Sequence, residues 1–482
     1  MMKENILLQY WDTWQGNVQC SYSKTLFTAE ELRGLTDRVA DDFKLSGIKS
    51  GAIVAMMLNN TVAFPICLMA LLQLQANPLL LHAKTTENEL NKLSENISIS
   101  WMIKDHMGAE INLKPAKNNI LIKNIELVIY KGSIELNTLY KTGVVLHQTS
   151  GTFGKPLICI RDQRVAVAEG INYVSSINSY ENIKIRLTTP LHHAFAYGFG
   201  LIASIITNST IIIDPMFNPK KVLKEESKNL SDILCVVPPM LQSLIYFKQI
   251  DSSLRLPRDV YYAGTKCDPS LIDKFETTFA SRLFAILGST ETGAIACNHV
   301  NHTKANGVGK LLNNVEILIK NQAKYKDLGD DIGELFIKST SMMQRYYHEA
   351  DDKKINYFST GDLVKLDGNH DLHIIGRIKD IINVAGVKVD PTEVENVLLE
   401  YQGVADAVVY PGRSKNGEEI VLAAISTKAD LDESGIIEFC ANRLNHYKIP
   451  EKINFLSDIP RTPSGKCQKM KLPGYINNEV FS

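Results

Sequence analysis

The chain has no Cys-x-x-Cys and no paired cysteine spacing; its eight cysteines, Cys20, Cys67, Cys159, Cys235, Cys267, Cys297, Cys440 and Cys467, all stand singly. That scatter argues against a disulfide framework or a thiolate metal cluster. It fits reduced thiols, and hence an expected cytoplasmic location. No sign of charge dominates: 52 Lys and Arg face 53 Asp and Glu, for a net charge of −1. With no basic surplus, neither nucleic acid nor an anionic membrane surface is an expected partner. The start, Met1-Met-Lys-Glu-Asn-Ile6, has no apolar signal core and no cleavage site. Residues 51–81 carry no charge, but Asn59, Asn60, Pro65, Gln73, Gln75, Asn77 and Pro78 interrupt the run. A continuous span of ~20 apolar residues is therefore missing, and no membrane span is expected. A Walker A loop, internal repeats and low-complexity tracts are absent as well.

What is present is ordinary globular composition, 45% hydrophobic and 22% charged over 482 residues, enough for two or more folded units. Thr28-x-x-Glu31 and Thr86-x-x-Glu89 read as capping boxes that open helices. Residues 52–58, 62–74 and 78–81 read as a buried strand–helix–strand unit. Apolar strands are expected at 142–148, 185–190, 210–213, 233–237, 258–262 and 283–287, with helices at 163–179, 220–228, 239–248 and 270–278. That alternation specifies an α/β fold with mixed, mainly parallel sheets flanked by helices. Near 362–380 the character changes. A hairpin with a Gly368-Asn369 turn is followed by a helix (391–401), two strands (404–411, 419–427), a helix (432–445) and a last strand (452–456). This reads as a small α+β domain, so the expected division is 1–376 and 377–482, with the boundary at 376–380.

Four clusters carry candidate chemistry, and each has a plain alternative. Thr149-Ser-Gly-Thr-Phe-Gly-Lys-Pro156 supplies hydroxyls, a lysine and two glycines that let backbone amides approach an anion, or is simply a turn. Leu287-Gly-Ser-Thr-Glu-Thr-Gly293 places a hydroxyl and a carboxylate after a strand, suited to a phosphate and a hard cation, or to a helix cap. Tyr357-Phe-Ser-Thr-Gly-Asp362, with Gly376-Arg-Ile-Lys-Asp380 after it, pairs a carboxylate suited to a diol with an arginine, or forms a charged surface turn. Pro460-Arg-Thr-Pro-Ser-Gly-Lys466 sets a lysine on a Pro/Gly loop, or merely a solvated one near the end of the chain.

Four unrelated turns do not readily give this ordered set. From about residue 20 to 472 the chain resembles the acyl-adenylate-forming superfamily of acyl-CoA synthetases, adenylation domains and luciferases. Further segments carry the likeness: Pro190-Leu-His-His-Ala194, Val237-Pro-Pro239, Tyr262-Ala-Gly-Thr265, Gly333-Glu-Leu335, Gly386 and His446-Tyr-Lys-Ile-Pro450. The resemblance implies that Thr149, Ser150, Gly151, Thr152, Gly154 and Lys155 bind the ATP phosphates. Ala263, Gly264 and Thr265 line the adenine, with Gly288 beside the nucleotide. Thr290 contacts the α-phosphate and Glu291 holds Mg²⁺. Asp362 takes the ribose hydroxyls with Arg377 beside them, Lys379 is the hinge of a mobile small domain, and Lys466 is the catalytic lysine of adenylation. The implied acyl pocket contains His193, Phe195 and Tyr197.

Three positions depart from the family pattern. Phe153 replaces a hydroxyl, Leu157 a common lysine, and Leu287 an aromatic that stacks on adenine. Relatives that activate amino acids carry an Asp near the pocket; no acidic residue lies between Leu191 and Ile213. The expected substrate is an amine-free carboxylic acid, aromatic or medium-chain aliphatic, activated with ATP and Mg²⁺. Coenzyme A is the leading acceptor. A phosphopantetheine arm on an acyl or peptidyl carrier protein is the alternative, and a non-catalytic nucleotide-binding relative is a third reading. A monomer or homodimer is expected.

Overall fold

A computed structural model describes residues 5–21, 23–105, 120–122, 125–132, 142–149, 157–177, 180–265, 267–299, 307–321, 328, 331–349, 355–384, 386–414, 417–427, 429–461 and 467–475. By packing, the described residues of 1–302, 311–315 and 338–356 form one unit, and those of 303–310, 316–337 and 357–482 a second.

The first unit is built on two sheets. In one, six strands run parallel in the order Arg282–Ser289, Asp259–Tyr262, Ile233–Val236, Lys184–Leu187, Thr210–Ile213 and Asn17–Cys20. Gly293–Cys297 and Thr25–Thr28 add antiparallel strands at either side. The other sheet runs Arg345–Tyr346, Leu157–Arg161, Val145–Thr149, Asn77–Leu80, Ile53–Met57, Trp101–Asp105, Ile125–Lys131 and Ile120–Ile122. Its central strands are parallel and buried on both faces, which is why 53–57 and 77–80 read as unbroken apolar runs. The helix between them, Ala63–Gln73, is apolar all round because it is buried all round. Among the described residues, no helix is long and apolar enough to cross a membrane.

Both capping boxes form: Thr28 and Thr86 accept from the amides of Glu31 and Glu89, whose carboxylates return the bond. The helix opening at Gln163 ends at Ser176 rather than 179, and the expected strand at 142–148 starts only at Val145. Ala196–Ile202 form a π-helix, a wider coil than an α-helix.

The second unit holds a four-stranded sheet in the order Val315–Lys320, Gly333–Ser339, Phe358–Leu366 and Leu372–Arg377. It also holds a three-stranded sheet, Val404–Arg413, Glu419–Thr427 and Lys452–Leu456, covered by Pro391–Leu399 and Glu433–Ala441. The last of these helices stops at Ala441, short of the expected 445. The 366–372 connection also differs from the expected Gly-Asn turn. Three residues, Gly368, Asn369 and His370, close it, and His370 takes φ +63°. The Asp367 carboxylate accepts from the amides of Asn369 and Asp371 and also contacts His373. That network holds a non-glycine residue in the left-handed region.

Candidate active site

Because the central strands of the first sheet run parallel, their carboxyl ends share one edge. In open α/β sheets that edge is where ligands bind. Three of the segments that carry the likeness start there. Thr290 and Glu291 follow Arg282–Ser289, Ala263 to Thr265 follow Asp259–Tyr262, and His192 and His193 follow Lys184–Leu187. Thr149 ends a strand of the second sheet, opposite Leu157 across the antiparallel pair. The rest of the expected phosphate loop, Ser150, Gly151, Thr152, Phe153, Gly154 and Lys155, lies outside the described residues, as does Lys466.

The two sheets meet at this edge through specific contacts. Asn60 donates to the Thr189 carbonyl at 2.8 Å and accepts from the Leu191 amide at 2.7 Å, fixing the chain just before the histidines. His82, after a strand of the second sheet, meets His192 edge-on with ring centroids 5.1 Å apart. His192 and His193 lie 4.1 Å apart by centroid. His193 is solvent-exposed at the surface. Desolvation by neighbouring atoms, then the His82 ring, lower its pKa to about 4. Phe195 is half-buried and stacks on Phe199. Tyr197 is fully buried against His147, with centroids 4.8 Å apart.

The Thr290–Glu291 turn is held from beneath. The Met343 amide donates to the Glu291 carbonyl at 2.7 Å, and the Tyr346 hydroxyl donates to Glu291 Oε1 at 3.1 Å. Burial, then Glu291, push the Tyr346 hydroxyl well above the usual tyrosine range, so it stays a donor. Ser341 Oγ donates to the Thr292 carbonyl at 3.0 Å. Gly293 makes this approach possible: it takes φ +69°, and a Cβ there would lie 2.7 Å from Ser341 Oγ. Below Ser341, Arg161 Nη2 donates to its carbonyl at 3.2 Å and to Glu169 Oε2 at 2.6 Å. Among the described residues, the Thr290 hydroxyl has no hydrogen-bond partner and no lysine or arginine pairs with Glu291. A carboxylate held through one oxygen is a donor type that a hard divalent ion takes.

In the second unit, Asp362 and Arg377 face each other across an antiparallel pair, with Arg377 Nε 2.9 Å from Asp362 Oδ1. The Asp362 amide donates to Thr360 Oγ1, which in turn donates to the Leu335 carbonyl. Burial raises the Asp362 pKa from the usual carboxylate value, and Arg377 works against that rise. Lys379 sits in the short turn Ile378–Asp380. The loop that carries Lys466 is closed at its base. Arg461 and Cys467 bridge, and the Gln468 amide donates to the Pro460 carbonyl at 2.8 Å. Two ion pairs pin that base, Arg461 to Asp406 at 2.9 Å and Lys469 to Asp380 at 3.0 Å.

Asn60, Arg161, Glu169 and Tyr346 were not singled out by the sequence as site residues. Each acts through tertiary contact, and none sits in a cluster of reactive types. The one signal available was a polar residue inside an apolar run, which applies to Asn60.

The family described as AMP-binding enzyme matches residues 10–347, and the AMP-binding enzyme C-terminal domain matches residues 393–466. A 4-coumarate–CoA ligase-like protein of Arabidopsis thaliana is 25% identical over 92% of this chain and 86% of its own length. ATP-bound MatB from Rhodopseudomonas palustris superposes with a TM-score of 0.81 at 19% identity, over 97% of this chain and 98% of that one. The o-succinylbenzoate CoA synthetase MenE from Bacillus subtilis, in complex with its acyl-adenylate, gives 0.81 at 22% identity over 98% of both chains.

Proposed function

Since the chain belongs to the AMP-binding enzyme family, we propose that it activates a carboxylic acid with ATP and passes the acyl group to a thiol. A carboxylate is a poor electrophile because its oxygen is a poor leaving group. In the first step a carboxylate oxygen attacks the α-phosphorus of ATP. An O–P bond forms, the α–β bridge breaks, and pyrophosphate leaves. In the second step a thiolate sulfur attacks the acyl carbon, the C–O bond to AMP breaks, and the thioester forms.

The observation that supports this reading best is the shared edge. There the Thr290–Glu291, Ala263–Thr265 and His192–His193 segments follow three parallel strands. Thr290 is the donor for the α-phosphate, and Ala263, Gly264 and Thr265 line the adenine, with Gly288 beside them. Thr149 and the loop through Lys155 hold the β- and γ-phosphates. Asp362 accepts from the ribose hydroxyls, and Arg377 fixes that carboxylate from the facing strand. Lys466 neutralises charge gathering at the carboxylate and α-phosphate. Mg²⁺, when bound, is held by Glu291 and supplies neutralisation of the phosphate charge. Withdrawal of Lys466 before the second step requires motion at Lys379, which falls in the interval between the two family matches.

The acid is amine-free, aromatic or medium-chain aliphatic, and it enters beside His193 and Phe195. Coenzyme A is the acceptor, and a carrier-protein phosphopantetheine is the second reading. The test is pyrophosphate release against a panel of carboxylic acids, followed by product analysis with CoA or a phosphopantetheinylated carrier protein. Acid-dependent pyrophosphate release with a CoA thioester is expected. Nucleotide binding with no acid-dependent release would reduce the chain to a non-catalytic relative.

A further inference from the structure

We infer that Tyr346 is a positioning residue for Glu291, orienting its carboxylate so that the second oxygen faces the metal of the ATP complex. This rests on the reading of Glu291 as the metal ligand. Arg345 and Tyr346 form a two-residue strand at the edge of the second sheet, paired antiparallel to Leu157–Arg161, with Tyr346 opposite Cys159. That pairing fixes the backbone of Tyr346 to a rigid element. Its phenol then reaches Glu291, which follows a strand of the other sheet, and donates to Oε1 at 3.1 Å.

The same segment grips Glu291 twice. Three residues before Tyr346, the Met343 amide donates to the Glu291 carbonyl at 2.7 Å, so main chain and carboxylate are tied to one stretch of chain. That stretch is anchored by the Arg161 bond to the Ser341 carbonyl and the Ser341 bond to Thr292. A glutamate in an open turn has three side-chain torsions to immobilise. A fixed donor on one oxygen orders them and leaves the other oxygen to bind. Outer partners of this kind commonly change metal affinity by about 10- to 100-fold when removed.

The experiment uses the whole chain. Mn²⁺ binding in the presence of a non-hydrolysable ATP analogue is measured by electron paramagnetic resonance, and the Mg²⁺ dependence of pyrophosphate release is measured beside it. Tyr346→Phe keeps the ring and removes the donor. It is expected to weaken Mn²⁺ binding by about 10- to 100-fold and raise half-saturating Mg²⁺ to match, with the rate at saturating Mg²⁺ changed only a few-fold. Tyr346→Met is a second variant without the donor. A folded variant of either kind with wild-type Mn²⁺ affinity overturns the inference. Glu291→Gln separates the two levels. If it weakens Mn²⁺ while Tyr346→Phe does not, only the positioning role falls. If it leaves Mn²⁺ binding unchanged, the assignment of Glu291 as ligand falls first.

Discussion

Arg161 and Glu169 form an ion pair at 2.6 Å in which neither side chain is more than 2% exposed. Arg161 ends a strand of the second sheet, and Glu169 lies eight residues later, on the helix Gln163–Ser176. The pair packs under the π-helix, where a Cβ on Gly198 would lie 2.5 Å from the Glu169 carboxyl carbon. The same guanidinium holds Ser341, and through it the turn that carries Glu291.

Removing one member leaves a buried, unpaired charge. Arg161→Met or Glu169→Met is expected to destabilise the fold by about 3–5 kcal/mol. The double variant should cost clearly less than the sum, because both charges leave together. Urea unfolding of the four proteins measures the coupling. Additivity within about 0.5 kcal/mol would mean that the two side chains do not stabilise each other.

Glu395 gives the small domain a pH signature. Burial raises its pKa to about 7, against the opposing pull of the Val409 amide. Lys469 and Arg461 also lower it, while Asp390 raises it. Its folded pKa is above the unfolded one, so its contribution is full below the ordinary carboxylate range and is lost as pH rises through about 7. Glu395→Gln keeps an acceptor for Val409 and cannot ionise. The wild type is expected to lose urea resistance between pH 5 and pH 8, and the variant to lose less. Equal losses in both proteins would assign the dependence to other groups.

Lys466 is proposed to serve adenylation alone. The base of its loop is pinned through Arg461 and Lys469, so replacing the lysine should leave the small domain folded. Lys466→Ala is expected to lower acid-dependent pyrophosphate release by about 10²-fold or more, in line with the loss of one charge-stabilising group. Thioester formation from supplied acyl-AMP should be largely spared. Equal loss in both half-reactions, with unchanged circular dichroism, would remove the one-step role.

Much of this was legible in the sequence because it is written locally. Capping boxes need residues three apart, and the parallel strands are apolar on both faces, so the helices opening at Ala29 and Glu87 and the strands at 53–57 and 210–213 fell where expected. The same holds for the cluster at 287–293, where reactive residue types adjoin. What escaped depends on contacts distant in sequence. Nothing near Tyr346 indicates that its hydroxyl meets Glu291, 55 residues away. Nothing in the local sequence marks Arg161 as a residue that the fold buries completely. The expected two-residue Gly368-Asn369 turn gives way to a wider one, because the Asp367 side chain supports a left-handed His370.

The last prediction concerns the acid. No acidic residue lies between Leu191 and Ile213, the segment that holds His193, Phe195 and Tyr197. Among the described residues, Glu169 packs against this segment under Gly198, but it is 1% exposed and Arg161 already takes its charge. A substrate ammonium would have to be buried there without a carboxylate partner, at a cost of several kcal/mol. Amino acids are therefore expected to be poor substrates beside their deaminated analogues, such as phenylalanine against 3-phenylpropanoic acid. The ratio of kcat/KM values by pyrophosphate release should favour the amine-free acid by about 10²-fold or more, since 1.4 kcal/mol corresponds to tenfold. A preference for the amino acid would show that a carboxylate from another segment reaches the pocket, and the proposed substrate class would be wrong.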